Sequence, residues 1–338
     1  LFNQSNCSPT ISNCIFSGNS GDSYAGVIYD FHAFTMINCI FSGNYANTTG
    51  GVIYSGGGNI TSTITNCVFS GNSAGTDGGA IYAHSGTIEV TNSILNGNYG
   101  GTDGGAVYNY SAQITFNNCT FAANEASQAG DGLYNRAGGQ IDMNNSIVWH
   151  NGEEDIYADL TSTTNVMYSD VNNIDYYRVN GNKMADPYFS GFPAGSGAWT
   201  AVSYQPDQLQ TVLTDGSASF APGALAGLFV KPDADAGANG DPRWLYIEDN
   251  TATQIMVWGN MASFVAAGDS YEVYDLHLSA GSVCIDSARG NEGDFTVPAR
   301  DIEGNIRMDD PGTENTTGSG NPDYVDMGAY EYQPPIAS

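Results

Sequence analysis

A handful of side chains in this chain have types and spacings suited to chemistry. Asp77 and Asp103 hold the same place ahead of Gly-Gly pairs one repeat apart, and Asp131 falls two places later in that phase. Two carboxylates stacked this way would raise each other's pKa and share a cation. At a separation of about 6.5 to 9.5 Å they would also suit an inverting glycosidase. The simpler expectation is a turn residue that bonds nearby backbone. Asp233-Ala-Asp235-Ala-Gly-Ala-Asn239-Gly-Asp241 places oxygen-bearing residues at alternate positions, as calcium loops do, so Asp233, Asp235, Asn239 and Asp241 are the candidate Ca2+ ligands. The loop lacks an Asp or Asn at its fifth position and has Trp244 where a bidentate Glu would close the site. A solvated hairpin tip is the competing expectation.

Asp301, Glu303, Asn305, Asp309 and Asp310 form a second acidic cluster, within which Arg307 can pair with Asp326 or Glu331 and pin the tail. Between Asn13 and Asn151 the sole Arg or Lys is Arg136. A polysaccharide lyase would use such a base beside calcium, but a lone Arg next to Gly138-Gly139 fits a solvated turn better. His32, His84 and His150 share no repeat phase. There is no Gly-x-Ser-x-Gly elbow, phosphate loop or Cys-x-x-Cys pair. No catalytic centre emerges, and a non-enzymatic role is the expectation.

These residues ride on a repeat. Segments beginning at Asn13, Asn38, Asn66, Asn92, Asn118 and Asn145 read Asn-Cys-Ile-Phe-Ser-Gly-Asn or a close variant, with steps of 25, 28, 26, 26 and 27. A second phrase, Gly-Gly-Ala-Ile-Tyr in its clearest copy, ends at Tyr29, Tyr54, Tyr82, Tyr108 and Tyr134 and keeps the first four of those steps. Two phrases sharing one irregular period imply stacked coils. Each unit holds three strand-like pieces separated by Gly, Asn and Ser, which predicts a parallel β-helix with three strands per coil and about seven or more coils. A shorter seventh unit is predicted at Val166–Val171.

Alternation points Ile28, Ile53, Ile81, Val107 and Leu133 inward with the Phe16, Phe41, Phe69, Leu95 and Phe121 column, and the tyrosines outward. That outward column, Tyr29, Tyr54, Tyr82, Tyr108 and Tyr134, is the candidate ligand-binding surface, for sugar rings or a neighbouring β-helix, although cross-strand stacking alone would justify it. Asn19, Asn44, Asn72, Asn98, Asn124 and Asn151 are predicted to form a structural ladder at a turn with left-handed backbone. Cys14, Cys39, Cys67 and Cys119 share one phase and are expected as a buried column of thiols, with Cys7 and Cys14 the pair to test for a bond.

The repeat carries residues 1–191. Residues 192–275, which include Trp244–Ile247 and Gln254–Trp258, are expected to form a β-rich insertion, and residues 276–338 a loop-rich C-terminal cap. Among 338 residues, 36 acidic side chains against eight Lys and Arg give a net charge of −28, which excludes nucleic acid and anionic surfaces as partners. No apolar run reaches the eighteen or so residues of a membrane span. No basic region precedes an apolar stretch at Leu1, so the numbering is expected to begin after any leader or within a longer protein.

The repeat phrases resemble the coils of right-handed β-helix proteins of the polymorphic membrane protein repeat type. Asn145–Trp149, Tyr168–Val171, Ala185–Pro187, Asp275–Leu278, Ser282–Asp286, Asp301–Asn305 and Asp326–Glu331 resemble the C-terminal end of choice-of-anchor Q domain proteins. This resemblance implies a right-handed coil and a secreted or bacterial cell-surface location, without a shared activity or catalytic set. The expected role is structural or adhesive, with end-to-end stacking into a head-to-tail homo-oligomer, since the first coil has no cap before Asn13. The alternative is binding or degradation of polysaccharide along the helix.

Overall fold

The computed structural model describes every residue except 4–6, 59, 236–242, 294, 314, 316–319, 323 and 334–338, and the side chain of Phe192. Three parallel seven-stranded sheets run the length of the repeat. The first takes Phe2–Asn3, Ile28–Asp30 and their equivalents to Ile156–Ala158; the second runs from Thr10–Ser12 to Thr163–Met167, and the third from Ile15–Ser17 to Asp170–Val171. A fourth sheet that the sequence reading missed has five strands of two residues each, from Ser20–Gly21 to Glu125–Ala126. Its strands are too short to show alternation. Pairing is in register, so Tyr54 lies over Tyr29 and Phe69 over Phe41, and each column of the sequence becomes a column in space.

The core is the predicted one. Ile28, Ile53, Val107 and Leu133 are fully buried against Phe41, Phe69, Leu95 and Phe121. Phe16, Phe41 and Phe69 stack with centroids 5.2 and 4.8 Å apart.

The asparagine ladder is continuous. Each amide oxygen takes two bonds from the preceding coil, one from the backbone N–H and one from the side-chain amide of the asparagine there, through Asn19, Asn44, Asn72, Asn98, Asn124 and Asn151 at 2.8–3.0 Å. The amides of Asn44, Asn72, Asn98, Asn124 and Asn151 also donate to the carbonyls of Phe16, Phe41, Phe69, Leu95 and Phe121. The expected left-handed backbone sits one residue earlier, at Gly18, Gly43, Gly71, Gly97, Ala123 and His150, and in the other asparagine column, Asn13, Asn38, Asn66, Asn92, Asn118 and Asn145. A ladder side chain must reach along the helix axis, so the sharp bend falls on its neighbour.

The phase-sharing thiols follow one rule. Cys14, Cys39, Cys67 and Cys119 each donate to the carbonyl two residues back, and Ser93, Ser146 and Ser169 do the same in their coils. Cys39, Cys67 and Cys119 are buried, and all six cysteines, including the exposed Cys7 and its proposed partner Cys14, are free thiols.

The far end of the solenoid is closed. Asn182 accepts from the Ser169 N–H and donates to the Val166 carbonyl, while the N–H groups of Tyr168 and Val171 bond to Asn180 and Lys183. Tyr176 covers the core there. The asparagine ladder ends on Asp155, whose Oδ1 accepts from the Asn151 N–H at 3.2 Å and its amide at 3.0 Å.

Residues 189–278 form an antiparallel seven-stranded sheet in the spatial order Phe189–Ala198, Ser270–Leu278, Phe229–Lys231, Leu245–Asn250, Gln254–Trp258, Gln210–Thr214, Ala201–Gln205. It has its own core around Trp199, Leu213, Ile247, Val257 and Tyr271. It docks on the Ser-Gly-Asn turns of the repeat: Ser70 Oγ donates to the Trp244 carbonyl at 3.0 Å. A Cβ on Gly71 would lie 2.1 Å from that carbonyl oxygen, and one on Gly97 would lie 2.4 Å from Trp244 Cβ. Gly71 and Gly97 therefore answer two demands, positive φ and the approach of Trp244.

Burial pushes the Asp155 carboxyl up to about 7, against the opposing bonds from Asn151. A folded pKa above the ordinary carboxylate value means that its stability contribution is full below about pH 4 and is lost as pH rises through about 7. Asp155→Asn keeps an amide oxygen at the ladder's end, so the expected outcome is a shallower fall of Tm between pH 5 and pH 8 than in the parent. An unchanged slope in calorimetric scans would remove Asp155 as a source of the pH dependence.

Candidate functional site

The tyrosine column is longer than the sequence reading made it. Phe2 and Tyr157 continue it at its two ends, and successive ring centroids from Phe2 through Tyr29, Tyr54, Tyr82, Tyr108 and Tyr134 to Tyr157 are 4.6–5.4 Å apart with interplanar angles of 1–26°. The ring faces are spent on one another, so the column offers solvent edges and hydroxyls instead of open faces. Tyr108 is only 3% exposed, and the other tyrosines of the column are half-buried. Desolvation raises the phenol pKa of Tyr54, Tyr82 and Tyr134, and pushes Tyr108 up to about 12. At neutral pH these four present uncharged hydroxyls.

A second outward column runs beside it, two residues after each tyrosine and just past the end of each first-sheet strand: Phe31, Gly56, His84, Tyr110 and Arg136. Period-two alternation puts residues i and i+2 on one face, and this signal was present in the sequence. His84 stacks on Tyr110 at 5.1 Å. Arg136 lies 5.9 Å over the Tyr110 ring and donates to the Tyr108 hydroxyl at 3.2 Å. Arg136 thus belongs to the aromatic surface and does not stand free as a proton-abstracting base.

Asp77 Oδ1 accepts the Asp103 N–H at 3.4 Å, and Asp131 accepts the N–H groups of Ala126 and Glu154 at 2.8 Å. All three bond backbone, as turn residues do. Burial raises the Asp77 and Asp103 carboxyls, opposed first by the backbone N–H that each accepts and then by the charge of Arg136.

Of the candidate calcium ligands, Asp233 is half-buried and Asp235 exposed, while Asn239 and Asp241 lie outside the described residues. Among the described residues no group of three His, Cys, Asp or Glu side chains is arranged to hold a metal ion.

The second acidic cluster is a structural pin. Arg307 Nη1 meets Glu331 Oε2 at 2.6 Å with both side chains almost wholly buried, and Nη2 donates to Asn92 Oδ1 at 2.9 Å. Asp326 accepts the Asp286 N–H, and Asp301 accepts the N–H groups of Glu303 and Asn305. Burial raises the Glu331 carboxyl to about 7, with Arg307 opposing. The left-handed asparagines are the receiving points for this tail: Asn92, Asn118 and Asn145 donate to the carbonyls of Arg300, Asp326 and Arg289.

Stacked in-register coils, two asparagine columns and one aromatic column together define a parallel β-helix repeat protein. The Chlamydia polymorphic membrane protein repeat matches residues 38–56 and 66–84, each running from the third-sheet strand of one coil to the first-sheet strand of the next. No curated protein and no solved structure matches the chain. No helix among the described residues is long and apolar enough to cross a membrane.

Removing one partner of a buried, hydrogen-bonded pair strands the other charge, at a cost of about 3–5 kcal/mol. Arg307→Ala is expected to lose stability of that order in urea denaturation. A loss below about 1 kcal/mol would mean that the tail is held by its backbone contacts instead.

Proposed function

We propose that this chain is a cell-surface β-helix protein with a structural and adhesive role, and that the paired aromatic columns are its contact surface. The observation that carries this reading is the match of two segments to a repeat of polymorphic membrane proteins, within a solenoid whose aromatic column runs unbroken over its seven first-sheet strands. Exposed aromatic patches of this extent favour interaction. Uncharged hydroxyl edges favour partners that exchange hydrogen bonds, and the net charge of −28 disfavours anionic ones. End-to-end growth fits less well, because the cap at residues 172–183 would have to leave the last coil before another could pair with it.

The polysaccharide reading is retained as the second one, since a row of hydroxyls at regular spacing suits a polymer of hydroxylated units. Purified protein is incubated with xylan and polygalacturonate, with and without calcium, and tested for retention and for new reducing ends or unsaturated products. Retention without product fits binding. Product formation would overturn the non-enzymatic assignment. Protease treatment of intact source cells is expected to cleave the protein; full protection would count against surface exposure. Replacing Tyr54, Tyr82 and Tyr134 together by Thr is expected to lower retention at least tenfold while the β-sheet circular dichroism persists, and undiminished retention would move the contact surface elsewhere.

A further inference from the structure

We infer that the cleft between the solenoid and its docked C-terminal half binds an ammonium or guanidinium on an apolar stem, that is, a lysine or arginine side chain of a basic partner polypeptide. The cleft holds about 240 Å³. Ile40, Val68 and Ile94 form its floor, in register on three successive coils of the third sheet's outer face. On the later coils that face is covered, where the Ala329 N–H bonds Thr120 and Gly328 lies against Ile147, while Ile15 on the first coil is exposed. The walls are Gly227 and Tyr246 from the antiparallel sheet and Ile302, Glu303 and Tyr330 from the C-terminal segment.

The polar lining is sparse and mostly committed. The Asn66 amide donates to Asn38, and the Asn38 amide donates to Asn13. Glu303 supplies the charge, with 43% of its side chain exposed. Its carboxylate is held by His277 Nε2 at 3.1 Å and by the Asn305 amide at 3.3 Å. The other ring nitrogen of His277 meets Asp275 at 2.5 Å, and the ring packs on Tyr330 at 4.0 Å. Burial alone would lower the His277 pKa, but the two carboxylates outweigh it and raise it to about 9. The bond from His277 keeps Glu303 below its usual range. Glu303 thus stays ionised beside an apolar floor and the Tyr246 ring.

A cation on an apolar stem answers each part of that lining: the carboxylate takes the charge, the half-buried Tyr246 offers an aromatic ring, and the stem lies on Ile40. The overall charge steers cations toward the surface. A second copy of this chain is a poor source, with eight Lys and Arg among 338 residues. The occupant is therefore a different, basic polypeptide, and this inference deepens the adhesive reading by naming the partner's chemistry.

The test is titration of the full chain at about 0.15 M salt with a peptide of alternating Lys and Leu, and with its Glu-Leu counterpart. Two cleft variants are compared, Glu303→Gln and Ile40→Trp, the second filling the cleft without removing charge. The control is Glu89→Gln, an exposed carboxylate on the second sheet. The expected result is binding of the basic peptide alone, weakened at least tenfold by each cleft variant and unchanged in the control. Equal affinity in all variants, or an equal loss with Glu89→Gln, would overturn the site in favour of diffuse charge attraction. Free butylamine binding as tightly as the peptide would overturn the polypeptide assignment. Such failures leave retention through the tyrosine column intact, so the two proposals fail separately.

Discussion

One amide oxygen passed from coil to coil governs this molecule. Each ladder asparagine satisfies the backbone N–H at the turn of the coil before it, that coil's asparagine amide, and a carbonyl of that coil's third-sheet strand. Buried backbone groups at a tight turn would otherwise be orphaned, at about 1–3 kcal/mol each. Because every ladder side chain is used in both directions, no coil can slip by a residue without breaking contacts above and below. The in-register tyrosines, phenylalanines and thiols are stacked because the turns are.

The C-terminal half exploits the surfaces that this ladder leaves. Its antiparallel sheet lays Trp244 across Gly71 and Gly97, where the absence of side chains opens the turn to a neighbouring backbone. Its tail bonds to Asn92, Asn118 and Asn145, the column whose left-handed backbone turns the amides outward. Repeat positions needed for local geometry thus also serve as sockets. The cleft between the two halves keeps a partly exposed carboxylate, Glu303, held by His277 and Asn305 beside an apolar floor.

Much of the solenoid was legible because its signals are local and repeated. The phrase ending in Tyr29, Tyr54 and Tyr82 and the one ending in Asn19, Asn44 and Asn72 fix strands, core columns and ladder together. The fourth sheet was hidden, since a strand such as Ser20–Gly21 is too short to alternate. Phe31, His84, Tyr110 and Arg136 have the right phase to be read as a column, but their mixed types masked it. The docking of Trp244 was beyond reach, for nothing in its neighbourhood names Gly71 as its contact. Arg307 offered two acceptors in the sequence, and only the fold selects Glu331 over Asp326.

A ladder of identical rungs is indifferent to how many it contains, so duplication or loss of a whole coil should be easy for a bare solenoid. Here the second half of the chain acts as a gauge. Gly259 abuts Gly18 on the first coil, Arg307 reaches Asn92 on the fourth, and Gly328 bonds Asn145 entering the sixth. Adding one coil anywhere between these points would shift the later sockets by a full rung while the inserted chain's reach stayed the same. The number of coils in this region is thus set by what clamps across them.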